Sequence, residues 1–386
     1  LRRVPVIHII TKLEFGGAQQ NTLFTVASLD RERYQPILIT GPEGYLLPEA
    51  RAMGVDPGIV PSMERAVKPG ADASAYRELR GLLDRYSSVP SIVHTHSSKA
   101  GILGRWAASR SRIPVILHSI HGYGFTPDQN PATRYLYKTA ERITSRITDH
   151  FIAVSESNRA DGIRYGLFDR DRCSVIRSGF DLQRFRKAAK LAPGQLDDLG
   201  IPGSSPIVLM AACLKPQKAP LDFVKLAARV RSEVPEARFL LAGDGDLRGS
   251  LVREIEKQDV KDVFCAPGWR EDIPELMKSS RVVVLTSRWE GLPRVIPQAK
   301  AAGRPVVATS VDGSREAVRD GVDGYLCPPG DVDCAARKVI TLLKDPGLAE
   351  RMGQEGERSV DEWDQTVMVK KQEELYERLL KEKGIW

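Results

Sequence analysis

No stretch of the 386 residues approaches the roughly 20 consecutive apolar positions that a membrane-spanning helix needs. The opening LRRVPVIHIIT is too short an apolar run for a signal peptide and reads as a strand. Cysteine is scarce: Cys173, Cys213, Cys265, Cys327 and Cys334 are odd in number and widely spaced, with no Cys-x-x-Cys pair. Five reduced, buried thiols in a cytosolic compartment are the expectation. Aromatics make up only 6%, and neither a stacking motif nor a basic recognition helix is visible, so nucleic acid is not an expected partner. The chain lacks Gly-x-x-x-x-Gly-Lys-Ser/Thr, which disfavours a nucleotide triphosphatase. It has no Gly-x-Gly-x-x-Gly after its first strand, which argues against a dinucleotide dehydrogenase. A Gly-x-Ser-x-Gly elbow is missing too.

What is present is the content of a soluble globular protein, 28% charged and 42% hydrophobic, with length for two domains. The net charge of +7 is uneven: residues 1–190 carry 28 Lys+Arg against 18 Asp+Glu (+10), and the remainder 29 against 32 (−3). The first half therefore suits an acidic partner, such as anionic lipid head groups or a pyrophosphate-bearing acceptor; solvated helix faces are the plain alternative.

The most informative stretch runs from Arg288 to Thr309. Val282 to Leu285 form the short apolar run of a buried parallel strand. A loop with Glu290 and Gly291 follows, then a helix expected to begin at Pro293 and to end at Gly303, then a strand in PVVAT. Glu290 thus sits at a strand's carboxyl end, where open α/β sheets bind ligands and where backbone amides favour phosphate. A carboxylate beside an anion site suits a neutral, hydroxyl-rich group next to the phosphates, as in a sugar nucleotide. Elsewhere strand-like segments (5–11, 36–40, 91–96, 114–120, 150–155) alternate with helical ones (73–86, 98–109, 131–147, 157–165), and SVIRSGFD (174–181) closes the half. A second series runs 206–212, 219–232, 238–243, 246–258, 263–268 and 272–280. After the 288–309 stretch come 314–320, 324–331, 332–344 and 365–383. Such alternation implies two parallel-sheet α/β domains.

Several clusters carry potential chemistry. Gly16 and Gly17 occupy the first strand-to-helix turn and leave room for a close ligand, or simply for a tight turn. His94, His96, His118 and His121 lie near one rim; no acidic or cysteine ligand joins them, so a polar contact by His121 is favoured over a metal. Asp244-Gly245-Asp246 has the carboxylate-x-carboxylate form of some metal-binding transferases, but its strand-to-helix turn favours capping or turn formation. Lys215 and Lys218 follow the second domain's first strand and suit a phosphate.

Taken together and in order, EFGGAQQ (14–20), HSIHGYGF (118–125), AVSES (153–157), VIRSGFD (175–181), CLKPQKAP (213–220), LLAGDGDLR (240–248), PGWREDIPELM (267–277), SRWEGLPRVIPQAKAAGRPVVAT (287–309) and VDGSREAVRDGVDGYLCPPGD (311–331) resemble the retaining GT-B glycosyltransferases of family 4. The resemblance implies an α/β fold of two Rossmann-like parallel-sheet domains facing across a cleft. It divides the chain into an acceptor-side domain (1–185), a linker (186–205), a nucleotide-sugar domain (206–362) and a terminal helix (363–386) returning to the first domain. It implies UDP-sugar as co-substrate and no metal or other cofactor. Gly16 and Gly17 would cradle the diphosphate or acceptor, and His121 would contact the transferred sugar. Lys218 would neutralise the leaving diphosphate, and Glu290 would hold sugar hydroxyls beside the amides of Gly291 and Leu292. Trp269 and Arg270 would lie along the uracil, with Gly243 and Asp244 in the same donor site. Three positions depart from the family pattern. Gln298 replaces the usual ribose-binding glutamate, and Cys213 replaces an arginine, with Lys215 or Arg294 available to compensate. Ser178-Gly179 replaces Asn-Gly. A front-face retaining transfer to a glycan, lipid-linked or small-molecule acceptor, on the cytoplasmic side with the inner membrane face as a place of contact, is the expectation. A UDP-sugar 2-epimerase of the same architecture and an inactive sugar-nucleotide-binding subunit are the alternatives.

Overall fold

A computed structural model describes residues 3–14, 16–125 and 129–386. Phe15 of the EFGGAQQ motif lies outside the described residues. The chain divides into two units: Leu1–Gly179 with Gln365–Trp386, and Phe180–Asp364.

The first unit is built on β1 (Val4–Ile9), β2 (Tyr34–Thr40), β3 (Gly58–Ile59), β4 (Ile92–His96), β5 (Val115–Ile120), β6 (His150–Ala153) and β7 (Cys173–Val175). They form one seven-stranded sheet in the order β3-β2-β1-β4-β5-β6-β7, and every pairing is parallel. β1 is buried along its whole length, as a central strand covered on both faces must be. Side chains alternate between those faces. Val4 and Val6 pack with Met368, Val369, Leu375 and Leu379 of the terminal helix Gln365–Glu382. Ile7 and Ile9 pack with Ala75, Leu79 and Ala100 on the other side. Each large apolar side chain removed from water in this way contributes about 1.5–3 kcal/mol.

The second unit carries β8 (Ile207–Ala211), β9 (Arg238–Ala242), β10 (Phe264–Gly268), β11 (Val282–Leu285), β12 (Val306–Thr309) and β13 (Gly324–Cys327). Their order is β10-β9-β8-β11-β12-β13, again parallel throughout. Both sheets reverse their winding once, between β1 and β4 and between β8 and β11. Ligands of doubly wound sheets bind at such switch points. The stretch 186–205, read above as a connection, contains the helix Pro193–Asp197. It gives Leu191, Leu196 and Ile201 to this unit's core.

Three sequence readings change. The helix expected from Pro293 begins at Val295, with Arg294 as its N-cap. Gly303 follows its last turn at φ 68°, the left-handed conformation glycine adopts without a steric penalty. Cys327 and Cys334 are bonded to each other rather than reduced. The turn after β13 folds the first turn of the helix Val332–Lys344 back, leaving their Cα atoms 5.9 Å apart. Of the other three thiols only Cys173 is buried; Cys213 and Cys265 are partly exposed. Finally, the helix Pro346–Arg358 was not anticipated. Its glycines are contact points rather than breakers, since a Cβ on Gly353 would lie 2.1 Å from the Gly303 carbonyl oxygen.

Candidate functional site

In the second unit the loops leaving β8 and β11 are laced together. After β8 the chain turns through Pro216–Lys218 and passes Ala219 at φ 46°. The Thr286 hydroxyl donates to the carbonyls of Lys218 (2.9 Å) and Ala219 (3.0 Å). The Arg288 amide donates to the Gln217 carbonyl at 2.8 Å. β12 braces the same loop from the far side. Thr309 Oγ1 donates to the Ser287 carbonyl at 2.6 Å, and the Glu290 amide donates to Asp312 Oδ2 at 2.7 Å.

This lacing brings Lys218 and Glu290 into direct contact, Nζ donating to Oε1. Ser287 Oγ donates to the same oxygen at 2.6 Å, and Gln217 Nε2 reaches Oε2 at 3.5 Å. The carboxylate is buried, with 5% of its side chain exposed, while the lysine retains 18%. A positive group and a hydrogen-bonded carboxylate therefore meet at the switch point of the sheet. Such a pair can hold a phosphate through the ammonium and a hydroxyl through the carboxylate.

The other positions predicted here fall around that pair in different states. Gly291 and Leu292 are half-buried, and a Cβ on Gly313 would lie 2.5 Å from the Gly291 carbonyl oxygen. Burial lowers the Arg294 guanidinium to about 10. Gln298 is half-buried and Lys215 exposed. Gly243 holds φ 146°, and a Cβ there would lie 2.0 Å from the Ala212 carbonyl oxygen, so the turn after β9 admits no side chain. Asp244 caps no helix, because the following helix Arg248–Lys257 has Leu247 at its N-cap without a side-chain bond. Instead its Oδ1 accepts from the Gly245 amide at 2.7 Å, tightening its own turn. Arg270 is committed to Asp272 through two bonds of 2.8 and 2.6 Å, whereas Trp269 is 69% exposed.

In the first unit Gly16 is the extended N-cap of the helix Gly17–Ser28, whose first turn carries no acidic residue to offset its dipole. His121 follows β5, and its Nε2 lies 3.2 Å from His96 Nδ1. The four histidines read as one rim do not gather. His118 points to the opposite sheet face and bonds Thr95 Oγ1 at 2.9 Å, because β5 alternates and Ser119, not His118, shares a face with His94. His8 takes its place, being the residue of β1 in register with His94. His8, His94 and His96 are fully buried, and desolvation pushes His8 down to about 3 and the other two well below the ordinary histidine range. Their ring nitrogens lie within 4.8 Å of one another, near enough for a cation. They are taken up by hydrogen bonds to each other, to Tyr376 and to Ser119. A cavity beside them is lined by Asn21, Ser119, His121, Ser178 and Gln372. Asn21 is buried there with its amide nitrogen lacking a partner among the described residues, a donor available to a ligand oxygen. The sequence offered no local sign of His8, Asn21 or Tyr376, which reach the site only through strand register and the terminal helix.

Two doubly wound parallel sheets in one chain are the arrangement of the GT-B transferases. The family model for Glycosyltransferase Family 4 matches residues 15–184, and that for Glycosyl transferases group 1 matches residues 195–359. The chain belongs to the family 4 glycosyltransferases of GT-B type. Among its relatives is the UDP-Gal:alpha-D-GlcNAc-diphosphoundecaprenol alpha-1,3-galactosyltransferase of Escherichia coli, 29% identical over 357 residues, or 90% of this chain and 89% of the relative. Another is a D-inositol 3-phosphate glycosyltransferase of Streptomyces bingchenggensis, 30% identical over 283 residues, or 68% of this chain and 61% of the relative. In fold the chain is similar to Anabaena Alr3699/HepE, solved in complex with UDP and glucose, with a TM-score of 0.80 at 20% identity over 96% of this chain and 98% of that one. Among the described residues no helix is long and apolar enough to cross a membrane.

Proposed function

We propose that this glycosyltransferase moves a hexose or N-acetylhexosamine from a UDP-sugar to a glycan, lipid-linked or small-molecule acceptor in polysaccharide or glycoconjugate assembly. The observation that carries the reading is the Lys218–Glu290 pair at the β8/β11 switch point. Lys218 neutralises the leaving diphosphate, the charge that grows as the bond from the anomeric carbon to phosphate oxygen breaks. Glu290 accepts from sugar hydroxyls, and His121 is the sugar-facing group of the first unit. Gly16 and Gly17 give the diphosphate or acceptor a close backbone approach; Trp269 and Arg270 flank the base, and Gln298 meets the ribose. Gly243, Asp244, Lys215, Gly291, Leu292 and Arg294 shape the rest of the donor site.

The transfer retains anomeric configuration by a front-face route. The acceptor oxygen bonds to the anomeric carbon, its proton passes to the departing phosphate oxygen, and UDP leaves. No metal is required in this scheme, because the lysine supplies positive charge and Asp244 is spent on its own turn. The named donor and lipid-diphosphate acceptor of the Escherichia coli relative support a UDP-sugar and a lipid-linked acceptor. The excess of basic residues in 1–190 supports peripheral contact with an anionic inner membrane face.

Titration calorimetry against a panel of nucleotide sugars tests the donor, followed by UDP release from whichever binds. A UDP-sugar should bind, and Lys218→Ala should abolish most of the turnover. Binding confined to other nucleotides, or full turnover in Lys218→Ala, would refute the reading.

A further inference from the structure

Asp312 holds φ 33°, on the left-handed side of backbone space, where a Cβ crowds the neighbouring carbonyl. It lies in the turn between β12 and the short helix Ser314–Ala317, at a position that glycine would occupy without strain. A side chain kept in such a conformation needs a contact that compensates for it. Here the contact is with the loop after β11: Asp312 Oδ2 accepts from the Glu290 amide at 2.7 Å. Gly313 adds a second contact. A Cβ on it would lie 2.5 Å from the Gly291 carbonyl oxygen and 3.1 Å from Leu292 Cα, so its bare backbone lets the turn press on the segment that follows Glu290.

We propose that Asp312 is a positioning residue for the transfer: its carboxylate fixes the backbone of Glu290, so that the Glu290 side chain faces the sugar hydroxyls, and the chain accepts backbone strain for it. The inference rests on the assignment of Glu290 to those hydroxyls and deepens it.

The loop after β11 is tethered at Ser287, Arg288 and Glu290 in turn. Thr309 Oγ1 holds the Ser287 carbonyl at 2.6 Å, and the Gln217 carbonyl takes the Arg288 amide at 2.8 Å. Asp312 acts on the backbone of Glu290 itself. The Glu290 carboxylate is held separately, by Ser287 Oγ at 2.6 Å and by Lys218. A diphosphate that draws Lys218 away removes one of those side-chain bonds. The backbone tether is untouched by that exchange. It therefore keeps the carboxylate in place at the moment when the lysine turns to the leaving group. A shift of about 1 Å in such a group can lower the rate about 100-fold. An aspartate fits both demands. Its carboxylate oxygens accept from an amide, and Asp and Asn are enriched among the non-glycine residues found at positive φ. Glycine at 312 should thus separate two properties: it relieves the strain, which favours folding, and removes the tether, which lowers activity.

The test compares Asp312→Gly, Asp312→Asn and Asp312→Ala in the full chain. Three quantities are read: melting temperature, UDP affinity by calorimetry, and UDP release from UDP-glucose, UDP-galactose and UDP-N-acetylglucosamine in parallel. Asp312→Gly should melt close to the wild-type temperature and bind UDP as tightly, while its kcat falls about 10- to 100-fold. Asp312→Asn keeps an acceptor oxygen and tolerates positive φ, so it should recover most of the kcat. Asp312→Ala keeps the strain without the tether, so it should turn over as slowly as Asp312→Gly and melt lower. Wild-type kcat in Asp312→Gly, or an Asp312→Asn no faster than Asp312→Gly, overturns the proposal. An Asp312→Gly that melts as low as Asp312→Ala overturns the argument from strain. Wild-type turnover in Glu290→Gln would instead refute the placing of Glu290 at the sugar.

Discussion

Glu290 and Lys218 are bonded to each other, the carboxylate nearly buried and the ammonium partly so. Roles expected of two separate groups therefore start from one ion pair, which a phosphate must loosen as it takes the lysine. Removing only the lysine strands a buried carboxylate, with Ser287 and Gln217 as its remaining partners. Breaking a buried pair from one side costs about 3–5 kcal/mol. Lys218→Met should thus lower the melting temperature of the chain in scanning calorimetry, and adding Glu290→Gln should restore most of the loss. Both single variants should lose about 100-fold or more in UDP release. A double variant no more stable than Lys218→Met would show that the pair contributes nothing as a pair.

The buried imidazoles make the first unit sensitive to acid. His8 is pushed from 6.5 down to about 3 by desolvation, and His94, His96 and His118 are lowered in the same direction by the same cause. Unfolded, these rings take up protons below 6.5, while folded they stay neutral, so the unfolded state binds more protons on acidification. Their contribution is fully present above 6.5 and is lost as pH falls toward the lowered folded values. Urea unfolding followed between neutral pH and about pH 5 should show stability falling with acid. His118→Asn should reduce the slope. A flat profile would mean that the rings are not held neutral.

The bond between Cys327 and Cys334 closes a short loop, of sequence separation 7, between β13 and the helix Val332–Lys344. Thiol titration of the denatured, non-reduced chain should find three reactive cysteines and, after reduction, five. The short loop limits the stabilisation to about 2 kcal/mol, so Cys334→Ser should fold with a modestly lower melting temperature. Five reactive thiols before reduction would contradict the bond.

The alternation of apolar strands with helices was legible along almost the whole chain, because buried parallel strands write short continuous apolar runs. The positions of Lys218 and Glu290 were legible for the same reason: each follows such a run. Their contact was not, since the two lie 72 residues apart and only the sheet order sets β8 beside β11. The histidine cluster was still less accessible. His8 looks like one more residue of a buried strand, and Tyr376 meets it across 368 residues of sequence. The helix Pro346–Arg358 carries three glycines, which weaken its intrinsic helical signal, and it is held by packing instead: Gly356 against Lys300 and Gly353 against the Gly303 backbone.

Trp269 offers a separation of donor recognition from folding. Its neighbour Arg270 is fixed by Asp272, which steadies the loop after β10 while the indole stays 69% exposed. A large aromatic surface left in water has no folding energy to lose, so Trp269→Ala should change the melting temperature little. If the indole lies along the base of the donor, the same substitution should weaken UDP binding in calorimetry by about tenfold, the lower end of what stacking on a base contributes. Asp272→Asn should do the reverse, softening the Arg270 contact and lowering stability while the indole remains. Unchanged UDP affinity in Trp269→Ala would move the base elsewhere on the second unit.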